Sequence, residues 1–256
     1  MLQVRMASRS ETGGRSRNED DLRYGASGSF WYAVLSDGAG GHRSGAEAAD
    51  QVVRAMALGL QSATQATPDF LTLLVNRTHT ELGRLQQGQR GLDRMHATLA
   101  ALWIDARRAQ ALWTHVGDSR LYMLRHGRVC HVTADDSAVQ RMLHAGYLTA
   151  EEARNHPRRH QLLSAIGTAD PVQPHTVPAP VAVQDGDAFL LCSDGWWEGH
   201  DTPAIEQAFA ASASPQEWLD LMAHPLQAAL NPRQDNYSAI AVWLGAPEQI
   251  TRAAPL

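Results

Sequence analysis

Apolar residues recur with two different periods along this chain, and the switches between them mark its elements. Residues 2–8 alternate over a short stretch and predict an edge strand, followed by the turn-like, charged ETGGRSRNEDD. Residues 30–35 (FWYAVL) form an aromatic and β-branched run that stops at the glycine-rich DGAGGH, which predicts a strand and then a turn. The period then lengthens. In SGAEAADQVVRAMALGLQ, Ala49, Val52, Val53, Met56 and Leu60 share one stripe of a helix. A second helix is predicted over 68–87, with Pro68 in its first turn and Phe70, Leu71, Leu74, Val75 and Leu82 at helical spacing.

The middle of the chain returns to strand patterning. Residues 98–104 (TLAALWI) and 111–116 (ALWTHV) read as a hairpin about DARRAQ; 121–124 (LYML) continues the sheet, and His126–Gly127 turns it into RVCHVT. Residues 137–167 predict exposed helix, broken near Gly146 and at Pro157. Four prolines in DPVQPHTVPAPVAVQDGD predict an extended connector or edge strand. AFLLCS is a central-strand candidate, two helices are expected over 202–212 and 215–230, and YSAIAVWL predicts a closing strand. Hairpin-joined strands and helices in consecutive pairs predict antiparallel sheet with helices on both sides. A doubly wound parallel fold, which needs regular βαβ alternation, is not expected.

Charge and composition narrow the function classes. The 256 residues carry a formal net charge of -5 and no block of Lys or Arg, so a nucleic-acid partner is not expected. No 18 apolar residues follow one another and the first residues lack a secretory core, which predicts a cytoplasmic protein without a membrane partner. Two cysteines make no disulfide framework; Cys192, in FLLCSD, is expected as a buried thiol, and Cys130 is left open. The 12 histidines include no HExxH pair and no zinc spacing.

Acidic residues carry the candidate chemistry. Four times an apolar run meets an Asp beside Gly, Ser or Asn: Asp37 in LSDG, Asp118 in HVGDSR, Asp194 in LCSDG and Asp235 in RQDNYS, while NEDD adds Glu19, Asp20 and Asp21. Each alone also reads as turn chemistry, because Asp accepts hydrogen bonds from its own backbone neighbours. Together they read as carboxylates brought to one edge of the core, where mutual repulsion calls for a cation and oxygen-only ligands favour Mg²⁺ or Mn²⁺. The glycines of DGAGGH either end a strand or let a carbonyl approach a metal beside Asp37. Arg15 and Arg17 are either surface cations or a fork for a phosphate.

These residues, in this order, resemble the metal-dependent PPM/PP2C family of serine/threonine protein phosphatases in its compact bacterial form. The matching segments are GGRSRNED (13–20), VLSDGAGGH (34–42), THVGDSRLYMLRHG (114–127), HVTADDS (131–137), LLCSDGWWE (190–198) and DNYSAIAV (235–242). The resemblance implies an α+β sandwich of two central antiparallel β-sheets flanked by pairs of α-helices. It implies one phosphatase domain over 1–246, with a helical flap at about 137–167 and a tail at 247–256. Two Mn²⁺ or Mg²⁺ ions and a weaker third are implied, bridged by Asp37 with the Gly38 carbonyl on one of them. Asp194 and Asp235 would complete the other shell, Glu19 and Asp20 would act partly through water, and Asp118 with Asp194 would serve the third ion. Arg15 would grip the phosphate of a phosphoserine or phosphothreonine and Asn236 would support that region, for hydrolysis in a single displacement. Implied partners are phosphorylated proteins and a cognate kinase or its targets, met by a monomer. The family's usual D-H-S is here DDS, with Asp136 in place of the histidine. G-T-T or G-C-T is here HAT, and the histidine that follows DG in animal members is Ala39. The rival readings are a hydrolase of small phosphoesters, a phosphoprotein-binding or kinase-binding regulator with little turnover, and a scaffold docking through 137–167 or Trp196 and Trp197.

Overall fold

Strands buried on both faces need a cover on each side, and the chain supplies it with two sheets and two helix pairs. The computed structural model describes residues 1–39, 44–86, 95–154, 156–229 and 232–245. In chain order the elements begin with β1 (Val4–Glu11), β2 (Asp20–Ser27), β3 (Phe30–Ala39), α1 (Ser44–Ser62) and α2 (Pro68–Leu85). The central strands are β4 (His96–Ala97), β5 (Leu99–Asp105), β6 (Gln110–Val116), β7 (Arg120–Arg125) and β8 (Arg128–Val132). Two short helices, α3 (Ala138–His144) and α4 (Ala150–Arg154), precede the strand fragments β9 (His175–Thr176) and β10 (Val181–Ala182). The last part holds β11 (Ala188–Cys192), α5 (Asp194–Trp197), α6 (Thr202–Ala211), α7 (Pro215–Ala228) and β12 (Tyr237–Leu244).

One sheet runs β1-β12-β11-β7-β8 and the other β10-β6-β5-β3-β2, with β4 added on β3 and β9 on β6; the pairings are antiparallel. Alternation along β5 shows why its sequence is apolar throughout. Leu99, Ala101 and Trp103 face α1 and α2 in one cluster, while Ala100, Leu102 and Ile104 meet β7, β11 and β12 in another. On the far side Leu190, Cys192, Ala241 and Trp243 pack under Phe209 of α6 and Trp218, Leu219 and Met222 of α7. The result is the helix–sheet–sheet–helix sandwich the resemblance implied.

Local chemistry sets the helix ends. Thr67 caps α2 by accepting from Phe70 N at 3.1 Å, with Pro68 where its missing N–H costs nothing. Ser214 and Pro215 repeat the device on α7. The Ala49, Val52, Val53, Met56 and Leu60 stripe of α1 is fully buried. The edge strand at the N-terminus, the hairpin about DARRAQ, the central position of AFLLCS and the closing strand are all found as expected.

Several expectations change. β2 falls where the sequence predicted only a turn and unassigned residues, because this edge strand buries none of its residues completely and so carries no apolar signal. β3 runs on through Ser36, Asp37 and Gly38, since Gly38 and Ala39 still pair with Ala97 and His96. β7 does not continue the sheet of β5 and β6; the Gly117–Ser119 turn carries the chain across to the other sheet. Segment 137–167 is less helical than predicted. Gly146 (φ +75°) ends α3, and the chain beyond His156 is held by isolated bridges, Ser137 to Leu162 and Ala97 to Ile166. Gln87, His42, the glycines at 40–41 and the tail at 247–256 lie outside the described residues. Among the described residues no helix is long and apolar enough to cross a membrane.

Candidate active site

Antiparallel register brings the first two acids together: Asp20, opening β2, stands directly opposite Asp37 of β3. Asp118 lies in the turn between β6 and β7. Asp194 begins α5 immediately after β11, and Asp235 precedes β12. Because β11 and β12 are neighbours, the last two acids share one end of the five-stranded sheet. Asp37 feels the charges of the other four, and Asp20 and Asp118 each feel that of Asp194. Burial first, then the charges of Asp20, Asp194, Asp118 and Asp235, hold the Asp37 carboxyl well above the usual carboxylate range. Burial, reinforced by Asp194 and Asp235, pushes Asp20 up to about 7 against the hydroxyls that hydrogen-bond it, and burial with Asp194 pushes Asp118 up to about 8. Asp20 and Asp37 keep part of their residue surface open, but their carboxyl groups sit deep among protein atoms.

Hydroxyl groups and peptides fix these acids. The Asp37 N–H donates to Thr98 Oγ1 at 2.9 Å, and Thr98 N–H returns a bond to the Asp37 carbonyl at 2.8 Å. Thr98 Oγ1 in turn meets Ser119 Oγ at 2.6 Å, linking β5 to the Asp118 turn. Ser193 Oγ donates to Asp20 Oδ2 at 2.8 Å. Trp197 Nε1 donates to the Asp118 carbonyl at 2.8 Å, while the Arg120 guanidinium, doubly bonded to Asp135, stacks 3.5 Å over the Trp197 ring. Trp196 beside it is core.

Close backbone approach completes the floor. A Cβ on Gly38 would stand 1.9 Å from the Gly45 carbonyl, and one on Gly45 would stand 2.5 Å from Glu19 Oε2. Only glycine at both positions lets the start of α1, the Gly38 peptide and the Glu19 carboxylate pack together. Asn236 is the strut of the N-terminal loop: its Oδ1 accepts from Glu19 N–H, and its Nδ2 donates to the carbonyls of Thr12 and Arg17, each at 2.8 Å. Arg15 Nη2 donates to Asp235 Oδ2 at 2.7 Å. Their side chains are 57% and 39% exposed, so this pair contributes only about 0–1 kcal/mol and gives way readily to better partners.

Every acid singled out in the sequence except Asp21 enters this neighbourhood. Among the described residues no three His, Cys, Asp or Glu side chains close on a single point as a finished metal cage. Two carboxylate oxygens, Asp20 Oδ1 and Asp194 Oδ1, are nevertheless buried with no hydrogen-bond partner among the described residues. Orphaned anionic oxygens in a crowded, buried set of hard donors fit a divalent cation. The sequence alone assigns no site role to Thr98, Ser193 or His160, and offers Trp197 only as a docking contact, whereas here it holds the Asp118 carbonyl. His160 Nδ1, from the segment beyond Pro157, stands 3.3 Å from Asp194 Oδ2, and that carboxylate holds the imidazole above its ordinary range. The signal for Thr98 lay in HAT, which stands where the family has G-T-T or G-C-T.

A two-layer sheet sandwich with acids from separate strands gathered at its rim is the arrangement that the resemblance to the PPM/PP2C family implied. A family model described as protein phosphatase 2C matches residues 9–234, and the chain belongs to that family. It is 35% identical over 198 residues to the serine/threonine protein phosphatase PstP of Mycobacterium tuberculosis, a match covering 76% of this chain and 36% of that protein, little more than a third of its length. Among solved structures, the S. agalactiae serine/threonine phosphatase is 25% identical with a TM-score of 0.83, covering 94% of this chain and 99% of that one. The catalytic domain of PstP in complex with 2 manganese ions is 27% identical with a TM-score of 0.81, covering 96% and 100%.

Proposed function

We propose that this protein hydrolyses phosphate monoesters on serine and threonine side chains of other proteins, using two Mn²⁺ or Mg²⁺ ions. The observation that carries this reading is the crowded acid set of Asp20, Asp37, Asp118 and Asp194, with Asp235 at its open edge, and two of its oxygens left without hydrogen-bond partners among the described residues. Support comes from family membership and from the manganese ions in the PstP catalytic domain. Asp37, the Gly38 carbonyl, Asp194 and Asp235 would hold the ions, with Glu19 and Asp20 in the surrounding shell and Asp118 at a weaker third position. When bound, such ions neutralise phosphate charge and lower the pKa of attacking water.

The chain's own groups supply position. Thr98 fixes the Asp37 peptide, Ser193 holds Asp20, and Asn236 ties the loop carrying Arg15 to the strand that follows Asp235. Arg15, released from its exposed pair with Asp235, gives a guanidinium fork to the phosphate. Segment 137–167 forms the flap over this rim, with His160 as its contact to Asp194. The substrate is a phosphorylated protein, and the reaction opposes the kinase that made it.

The test is phosphate release from a phosphothreonine peptide with Mn²⁺ or Mg²⁺ and then with excess chelator, for wild type and Asp194→Ala. Turnover is expected only with metal, and at least about 100-fold slower in the variant, given the several kcal/mol that metal charge stabilisation supplies. Turnover that survives the chelator would overturn the reading. Phosphopeptide binding without turnover would favour a regulator.

A further inference from the structure

Asp136, where this sequence departs from D-H-S, joins three segments that the reaction as proposed does not otherwise connect. Its peptide N–H donates to the Gly117 carbonyl at 2.8 Å, and its Oδ2 accepts from Gly117 N–H at 3.1 Å. That two-way exchange grips the residue next to Asp118 in a turn where Gly117 has φ +88°. The other carboxylate oxygen, Oδ1, accepts from His175 Nε2 at 2.6 Å. The Asp136 carbonyl accepts from Leu163 N–H at 2.7 Å, at the far end of the flap segment.

His175 is itself held. It pairs with His115 across β9 and β6, and the two rings stack with centroids 4.9 Å apart and planes 24° from parallel. His115 is buried and donates from Nε2 to the Ala134 carbonyl at 2.8 Å. Burial lowers its pKa, which favours the neutral ring in that stack. Thr176, next along β9, meets Thr72 and Thr114 at 2.9 Å each, which anchors the strand fragment from both sides.

We propose that Asp136 and His175 act as a clamp that positions the Asp118 turn, with Asp136 as the positioning residue and His175 holding its carboxylate in place. Each carboxylate oxygen has one assigned partner. Removing the imidazole frees Oδ1 to swing toward solvent and loosens Oδ2 from the Gly117 amide. Among the described residues Asp118 is otherwise gripped through its carbonyl by Trp197 and through Ser119 by Thr98; Asp136 N–H on the Gly117 carbonyl holds the peptide that leads into Asp118, and Oδ2 on the Gly117 N–H holds the peptide before it. The clamp also couples the flap base to the acid rim, because Leu163 hangs from the same residue. This proposal rests on the phosphatase reading for its consequence in activity but not for its geometry.

The test compares the full-length wild type with His175→Ala, His175→Gln and Asp136→Ala. It measures hydrogen exchange at the Gly117 amide by NMR, the Mn²⁺ concentration for half-maximal turnover, and the thermal midpoint. In His175→Ala the amide is expected to exchange roughly tenfold faster, the loss of one hydrogen bond to a charged group. Half-saturation is expected to need roughly tenfold more Mn²⁺, in the range for groups that orient metal ligands. His175→Gln, which keeps a donor, restores most of both. Wild-type exchange and wild-type Mn²⁺ dependence in His175→Ala overturn the proposal, as does a glutamine no better than alanine. Should Asp136→Ala not fold, the His175 pair still decides. A wild type with no turnover, but with the stated exchange pattern, would sink the phosphatase reading and leave the clamp standing.

Discussion

Asp20 and Asp37 are each the kind of residue a protein avoids placing opposite the other, and both are held against that repulsion by neutral hydroxyls and peptides. The cost has a pH signature in the metal-free protein. Their folded pKa values, like that of Asp118, lie above the unfolded ones, so between pH 4 and 8 the native state keeps protons that the unfolded chain releases. Stability therefore falls as pH rises through that window, to about 7 for Asp20 and about 8 for Asp118. Thermal melts with chelator should show a midpoint declining from pH 5 to 8, and saturating Mn²⁺ should reverse the decline at pH 8; a flat profile would contradict the raised values. Thr98→Ala should lower Mn²⁺ affinity about 10–100-fold, as loss of a group that orients a metal ligand does, with circular dichroism unchanged. Arg15→Ala should raise KM for the phosphopeptide about tenfold or more with the thermal midpoint unmoved, since the pair it loses is exposed. Asp37, Asp118, Asp194 and Asp235 were legible in the sequence because each meets an apolar run beside a turn residue, and Glu19 and Asp20 because NEDD clusters them. The residues that hold them were not. Thr98 is one hydroxyl at the head of an apolar strand, and Asp136 and His175 are 39 residues apart in segments with no shared motif.

At the scale of the element, apolar periodicity identified β3, β5, β6, β7, β11, β12 and the helices α1, α2, α6 and α7, because each of these buries a stripe or both faces. It failed on β2, whose pairing with β3 is made by backbone groups while its side chains stay partly exposed. It failed also on the assignment of β7. Patterning reports that a strand is buried, not in which sheet, and β7 and β6 are both buried on two faces. The flap segment misled for a third reason: alanine-rich, charged sequence favours helix locally, while Gly146, Pro157 and the bridge to Ala97 impose another path. Leu191, at the centre of β11 and facing the second sheet, should cost about 2–5 kcal/mol when cut to alanine. Chemical denaturation would read that loss, and Mn²⁺ affinity in the folded variant should remain within about twofold; a selective loss of metal affinity would mean the strand shapes the rim more than the core.

For the whole molecule, function follows from how the layers are stacked. Two sheets face to face with helices outside bury the central strands β5, β6, β7, β11 and β12 between apolar neighbours, which leaves the strand ends as the places where charge is tolerated. The inner ends of β2, β3, β11 and β12 and the turn from β6 to β7 bring acids that are up to 215 residues apart in sequence, Asp20 to Asp235, into one field. That convergence could be argued from sequence only because Asp37, Asp118, Asp194 and Asp235 stood at the rims of predicted strands; the place of Asp20 opposite Asp37, and the electrostatic depth of the set, needed the structure. The most direct measurement is the number of Mn²⁺ ions bound by the metal-free full-length protein, by equilibrium dialysis at pH 7.5, for wild type and Asp37→Asn. The account predicts about two ions per chain for wild type, and for the variant a loss of most of that binding, since the Asp37 carboxylate would serve both positions. No Mn²⁺ bound by wild type, or the same number bound by both proteins, would contradict it.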